Sequence, residues 1–283
     1  MKSIVSLIAL LPVAAHAAVI VNDSSWSTPV ANTKVGDSSG LNYWGSSGTS
    51  GALSINGSDQ LVLTQGGRGL LVNFPKQTLT NVGESLSLSF TFALSVNSGA
   101  SGQLSLGVFD NTPGSVIAAN NFGNTPAAAT NYTGYLVGAS ANATSNTATI
   151  YERNATANLT ASLNLTNATS LGTTGSGTNP IWTASTFYTS TLVLTRLETG
   201  LELSYSNSAS PSYTLTVLDT ASPFFDFTTL ELRGNSNLFG TGETLTLSNF
   251  NVTFTPVPEP SSAALLAGLG ILGFVAVRRR RRA

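Results

Sequence analysis

The 283-residue sequence has no cysteine and one histidine, His16. The first absence removes disulfides and thiolate nucleophiles. The second removes imidazole from everything after an apolar N-terminal stretch. Ser-His-Asp hydrolysis and zinc sites built on His and Cys are therefore excluded from the body of the chain. Carboxylate pairs, lysine bases and oxygen-ligated metals remain. Charge is also scarce, at 9% of residues. Between Ala18 and Thr255, six cations (Lys34, Arg68, Lys76, Arg153, Arg196 and Arg233) face 12 acids, a net charge of −6. Such a surface does not suit nucleic acid or anionic lipid. Solubility must come from Ser, Thr, Asn and Gly. Helical periodicity is lacking too, since Ala127 to Ala129 is too short to nucleate a helix.

What is present is strict alternation. From Glu84 to Asn97, Leu86, Leu88, Phe90, Phe92, Leu94 and Val96 share one parity, with Ser87, Ser89, Thr91, Ala93 and Ser95 on the other. Period two predicts a long half-buried strand, because a helix would scatter these side chains around its axis. Leu104, Leu106 and Val108 repeat the pattern. Thr191 to Leu197, Thr199-Gly200, then Leu201, Leu203 and Tyr205 read as a hairpin. Tyr213, Leu215 and Val217 give a further strand, and Leu230 with Leu232 a shorter one. In the last strand the apolar parity switches between Leu245, Leu247 and Phe250, Val252, Phe254. One extra residue near Ser248-Asn249, a β-bulge, would keep both halves facing the core. Ala141 to Thr178 is low in complexity, and Leu159, Leu163 and Leu165 predict at least one strand there. Many short strands with Gly, Asn and Ser turns predict an all-β, antiparallel β-sandwich or barrel.

Few residues offer chemistry. Glu198 and Glu202 flank the hairpin turn and read as solvated acids. Asp226 and Glu231 differ in parity and are expected to face opposite ways. The Glu-x-Asp-x-x-Glu pattern of carboxylate-pair glycosidases is absent. Asp110-Asn111-Thr112-Pro113-Gly114 reads as an Asx turn rather than a calcium loop. No catalytic residue, metal ligand or cofactor is expected. Tyr43 and Trp44, between Asn42 and Gly45, are candidate sugar-stacking residues, and Trp182 with Phe187-Tyr188 is a second candidate.

The two ends carry ordered signals. Lys2, the apolar stretch Ile4 to Ala14 and Ala15-His16-Ala17 have the order of a signal peptide, with cleavage expected between Ala17 and Ala18. The C-terminus reads Val257-Pro258-Glu259-Pro260, two serines, an apolar run to Val277, and Arg278, Arg279, Arg280, Arg281 and Arg282. Residues 261–277 are just long enough to span a hydrocarbon core of ~30 Å, and the arginines would stay on the cytoplasmic side. This order resembles the PEP-CTERM sorting signal. The resemblance implies export through the Sec machinery, anchoring in the inner membrane by the C-terminal helix, and cutting at the Pro-Glu-Pro box by exosortase, a membrane cysteine protease or transpeptidase.

The order of the strands resembles the concanavalin A or laminin-G-like jelly roll found in many PEP-CTERM proteins. The expected organisation is a signal peptide at 1–17, a jelly-roll-like β-sandwich at 18–255 and the sorting signal at 256–283. The expected function is that of a non-enzymatic envelope or extracellular-matrix protein. It would be structural or weakly carbohydrate-binding, with extracellular polysaccharide as its ligand. The alternative is a polysaccharide hydrolase or lyase using carboxylates on the same fold.

Overall fold

The computed structural model describes residues 16–28, 34–45, 53–64, 69–97, 102–112, 116–118, 132–140, 147–153, 168–173, 182–208, 213–234, 238 and 242–257. The tail from Pro258 onward and the N-terminal run through Ala15 lie outside the described residues, as do Leu159, Leu163 and Leu165. Among the described residues every regular element is a strand, and no helix is long and apolar enough to cross a membrane. In chain order the strands are β1 (Ala18–Asp23), β2 (Trp26–Ser27), β3 (Lys34–Gly36), β4 (Asn42–Gly45), β5 (Leu53–Ile55), β6 (Leu61–Thr64), β7 (Gly69–Thr78), β8 (Ser85–Leu94) and β9 (Gln103–Asp110). They continue with β10 (Thr133–Ser140), β11 (Ala148–Arg153), β12 (Ala168–Gly172), β13 (Tyr188–Leu197), β14 (Gly200–Asn207), β15 (Tyr213–Asp219), β16 (Asp226–Gly234) and β17 (Thr244–Thr255).

These strands form two antiparallel sheets. The eight-stranded sheet runs β15-β14-β13-β8-β17-β6-β5, with β1 also paired to β17. The nine-stranded sheet runs β12-β11-β10-β9-β16-β7-β4-β3-β2. Alternation decides which side chains face the gap. Leu86, Leu88, Phe90 and Phe92 of β8 meet Leu70 and Val72 of β7 and Leu230 and Leu232 of β16 in one continuous core. Ser87, Ser89 and Thr91 stand on the other face, where Thr91 pairs with Thr189 at 2.9 Å and Ser89 accepts from Thr191 at 3.3 Å. The expected bulge is present. The β17–β8 register shifts between Leu247 and Asn249, so Leu245, Leu247, Phe250 and Val252 are all buried.

Each end of the sandwich has its own loops. At one end β17 finishes at Thr255 opposite Ser85, and Ala18 of β1 lies opposite Phe254. The 79–84 turn, the β13–β14 hairpin turn and the 220–225 connection gather there. At the other end β17 begins at Thr244, near the close of β8. Eleven residue steps along β17 separate the two ends by about 35 Å.

The outer face of the nine-stranded sheet departs from a simple solvated surface. Leu71, Phe109 and Leu136, on the outward parity, are buried beneath Ile117 and Tyr132, which come from the β9–β10 connection. Asn73 donates to the Ile117 carbonyl at 2.7 Å, and the Ile117 amide donates to the Tyr132 hydroxyl at 3.1 Å. This second cluster adds a partial third layer.

Phe90→Ala is expected to cost roughly 3–5 kcal/mol, the transfer free energy plus a cavity. Ser89→Ala, on the hydroxyl face, should cost less than about 1 kcal/mol. Denaturant unfolding of both variants checks the assignment of faces, and equal losses would contradict it.

Candidate functional site

Tyr43 does not present a ring to solvent, which corrects the first sugar-stacking expectation. It is 0% exposed and packs edge-on against Trp26 and Phe250, at 5.8 and 5.9 Å. Its hydroxyl donates to Asp23 Oδ2 at 2.6 Å. Asp23 also accepts from the Ser38 and Ser39 amides and hydroxyls, so one buried carboxylate closes the 36–41 turn onto β1. A Cβ at Gly36 would lie 1.8 Å from Asp23 Oδ2, so only glycine permits this approach. Burial and the adjacent Asp23 charge push the Tyr43 phenol well above its ordinary value. Trp44 has the opposite parity. It is half-buried on the outer face of the nine-stranded sheet, packed against the Leu71–Phe109 cluster.

The second aromatic group divides in the same way. Trp182 and Tyr188 are buried against Phe92, at 5.1 and 6.1 Å between ring centroids. Phe187 is 49% exposed. Its parity puts it with Thr189 and Thr191, on the polar face of β13. An aromatic in phase with hydroxyls is a signal that alternation alone could have supplied.

Phe187 walls a trough of about 270 Å³ on the outer side of the eight-stranded sheet. Asn56, Gln60, Ser95, Ser185, Thr244 and Thr246 supply its polar lining, and Ala93 and Leu94 the rest. The walls are tied down locally. Asn56 Oδ1 accepts from the Ser58 and Gln60 amides at 2.9 and 3.0 Å, and its Nδ2 donates to Gln60 Oε1 at 2.8 Å. The Ser185 amide donates to the Leu94 carbonyl at 2.7 Å, and the Ala184 amide to Asn97 Oδ1 at 2.8 Å. Among the described residues two non-glycines have positive φ, Asp59 at 57° and Ser185 at 59°. One lies in each loop that borders the trough. Backbone held in a sparsely populated region clusters at binding sites, where the surrounding structure enforces it.

The acids do not form a comparable site. Glu202 lies opposite Thr195, not Glu198. Asp110 Oδ1 accepts from the Thr112 amide at 2.9 Å and from its hydroxyl, an Asx turn. A register shift between Phe227 and Thr229 undoes the simple parity count across Asp226 to Glu231. Asp226 pairs with Lys76 at 3.0 Å and accepts from Thr78 at 2.6 Å.

Two other acids, missed in the sequence, converge on Tyr135. Glu152 lies opposite it in the β10–β11 register, and Asp219 Oδ2 accepts from its hydroxyl at 2.7 Å. Both acids are buried. Burial, then the Asp219 charge, raises the Glu152 carboxyl above its ordinary value. Asp219 Oδ1 accepts from the Ala221 amide at 3.1 Å, so this acid closes the turn after β15. Among the described residues no group of three or more His, Cys, Asp and Glu could hold a metal.

Glu231 is the most perturbed carboxyl. It is fully buried on the outer face of β16, and among the described residues neither oxygen has a hydrogen-bond partner. Burial pushes it up to about 8 against the opposing pull of Arg233 and Arg153. Sequence alternation placed it on a polar face, and the cover supplied by Ile117 and Tyr132 could not be read there.

The chain is similar to several solved structures. The potassium-bound carbohydrate recognition domain of Emp46p is similar at a TM-score of 0.50 and 9% identity, over 75% of this chain and 87% of that one. Peanut lectin with a nine-residue peptide matches at 0.49 and 13%, over 87% and 100%. The Bauhinia forficata lectin in complex with GalNAc matches at 0.44 and 13%, over 85% and 99%. At 9% identity the Emp46p match speaks to the fold alone, an antiparallel jelly-roll sandwich. No curated protein matches the chain.

Glu231 generates a pH prediction. The folded carboxyl holds its proton up to about 8, whereas the unfolded one releases it near 4.5. Its contribution to stability is therefore fully present below 4.5 and is lost as pH rises through 8, at roughly 1.4 kcal/mol per pH unit. Melting curves at pH 5, 7 and 9 should fall more steeply for the native chain than for Glu231→Gln. Parallel curves would contradict this.

The last comparison concerns the C-terminus: residues 256–281 match the PEP-CTERM protein-sorting motif, so this chain carries that sorting motif directly behind its jelly-roll sandwich.

Proposed function

We propose that this is an exported envelope or matrix protein that exosortase cuts at Val257-Pro258-Glu259-Pro260, and whose sandwich binds extracellular polysaccharide without catalysing its breakdown. The signal peptide ends at Ala15-His16-Ala17 and the Sec machinery delivers the chain. Residues 261–277 then hold it in the inner membrane, with Arg278 to Arg282 inside. The boundaries of the sheet support these limits. β1 starts at Ala18 and β17 stops at Thr255, so neither signal is needed for a strand.

The observation that carries the binding role is the Phe187 trough. A ring face beside amides and hydroxyls suits a sugar, whose C–H face stacks on the aromatic while its hydroxyls exchange hydrogen bonds. The lining has no charged side chain, which favours a neutral glycan. The fold is also that of a carbohydrate recognition domain. The hydrolase or lyase alternative needs two acids converging in an open cleft. Glu152 and Asp219 converge, but between the sheets.

Phe187→Ala should weaken retardation in neutral polysaccharide gels about tenfold, or ~1.4 kcal/mol, with the melting temperature nearly unchanged. Equal retardation of variant and native chain would remove the trough from the binding role. Release of reducing ends by the native chain would favour the enzyme. Deleting Arg278 to Arg282 should lower membrane retention and processing in the native host, because the positive charges fix the orientation. Unchanged fractionation would argue against the anchor.

A further inference from the structure

Five large apolar side chains are exposed among the described residues, and three sit at the end of the sandwich where the tail departs. Val82 is 51% exposed at the tip of the 79–84 turn, Val19 is 61% exposed on β1, and Leu218 is 46% exposed near the close of β15. They span the width of the eight-stranded sheet, from its β15 edge across β8 to β1.

The turn that carries Val82 is held firmly. Glu84 Oε2 accepts from the Thr80 and Asn81 amides at 2.6 and 2.9 Å, and Oε1 from Asn81 Nδ2 at 2.7 Å. The Gly83 amide donates to the Arg196 carbonyl at 2.7 Å. Gly83 has a φ of 93°, and a Cβ there would lie 3.0 Å from Val257 Cγ2. The chain therefore leaves the sheet packed against this turn. Val257 is four residues from Ser261, a reach of at most about 14 Å when fully extended. An apolar tail embedded from Ser261 would hold this end at the lipid surface.

The charges here do not favour anionic headgroups. Arg196 donates to the Leu79 carbonyl at 2.7 Å and lies over the Phe225 ring at 4.2 Å, while Lys76 pairs with Asp226 at 3.0 Å. Glu198 and Glu202 add negative charge nearby. The contact suited to this end is apolar insertion among headgroups, not electrostatic attraction.

We propose that this end, marked by Val82, Val19 and Leu218, rests on the outer leaflet of the membrane while the tail is still anchored. The proposal relies on the tail spanning the bilayer. It places the Phe187 trough, on the outer face of the sheet near the opposite end, clear of the membrane and open to ligand before the tail is cut.

The absence of cysteine makes the test direct. Val82→Cys, Leu218→Cys and, at the far end, Thr186→Cys are each labelled with bimane. The tail-bearing chain is reconstituted into phosphatidylcholine vesicles containing a nitroxide-labelled lipid. Quenching at 82 and 218 should exceed that at 186 at least twofold. It should not change when a quarter of the lipid is phosphatidylglycerol. Flotation with the vesicles but equal quenching at all three positions would overturn the membrane contact and leave the anchor intact. Failure to float would overturn the anchor, and the contact with it. Quenching that appears only with phosphatidylglycerol would overturn the apolar mode of contact.

Discussion

β17 is the strand on which the rest of the architecture depends. It pairs with β8 along most of its length and carries β6 and β1 on its other edge in succession. All of those partners must keep their apolar sides toward the nine-stranded sheet. A regular twelve-residue strand with this sequence could not do that, because Leu245 and Leu247 differ in parity from Phe250 and Val252. The bulge between Leu247 and Asn249 restores a common face. Without it, half of the strand would turn leucines or aromatics to water and the β8 core would lose one wall.

Much of this was legible in the sequence because the governing rule is local. Period two gave the faces of β8 and the β13–β14 hairpin, and the break in phase located the bulge. What was not legible is which face of a short strand points inward. Asn42-Tyr43-Trp44-Gly45 has one aromatic of each parity, and the choice is made by partners far away in sequence. Phe250 packs on Tyr43, and Asp23 takes its hydroxyl. Glu231 was hidden for a related reason. It alternates with Leu230 and Leu232, but its burial comes with Ile117 and Tyr132 of the outer cluster, which lie outside its own strand. The trough was half legible, since Phe187 was within a candidate group, but Asn56 and Gln60 lie more than 120 residues earlier. Only the pairing of β6 with β17 brings them to it.

The chain's poverty in charge has consequences for stability as well as function. Without disulfides, loops must be held by hydrogen bonds, and single acids serve as hubs. Asp23 closes the 36–41 turn, Glu84 the 80–84 turn and Asp219 the turn after β15. Each carboxylate gathers amides that would otherwise be unsatisfied in a partly buried loop. Several of the 12 acids between Ala18 and Thr255 are thus structural parts. That use competes with catalysis. An acid fixed by two or more hydrogen bonds to a turn has little freedom to swing toward a substrate. Glu231 behaves differently, held neutral by burial, but among the described residues no second acid adds to its shift.

The antiparallel pairing of the first and last strands gives the molecule its polarity. Because Ala18 lies opposite Phe254, both sequence signals adjoin the same end of the sandwich. In the proposed function, a chain delivered through the membrane at its N-terminus and held there at its C-terminus would need no long linker to bring the two together. The same pairing directs β17 away from that end, and the trough is built where β17 begins. With the tail held in a membrane as proposed, moving it to any other strand end would either tilt the trough toward the lipid or require a linker longer than the three residues, Pro258 to Pro260, between Val257 and Ser261. The sorting motif and the proposed binding trough thus adjoin opposite ends of one strand, and the shortness of the linker makes their separation a property of the fold.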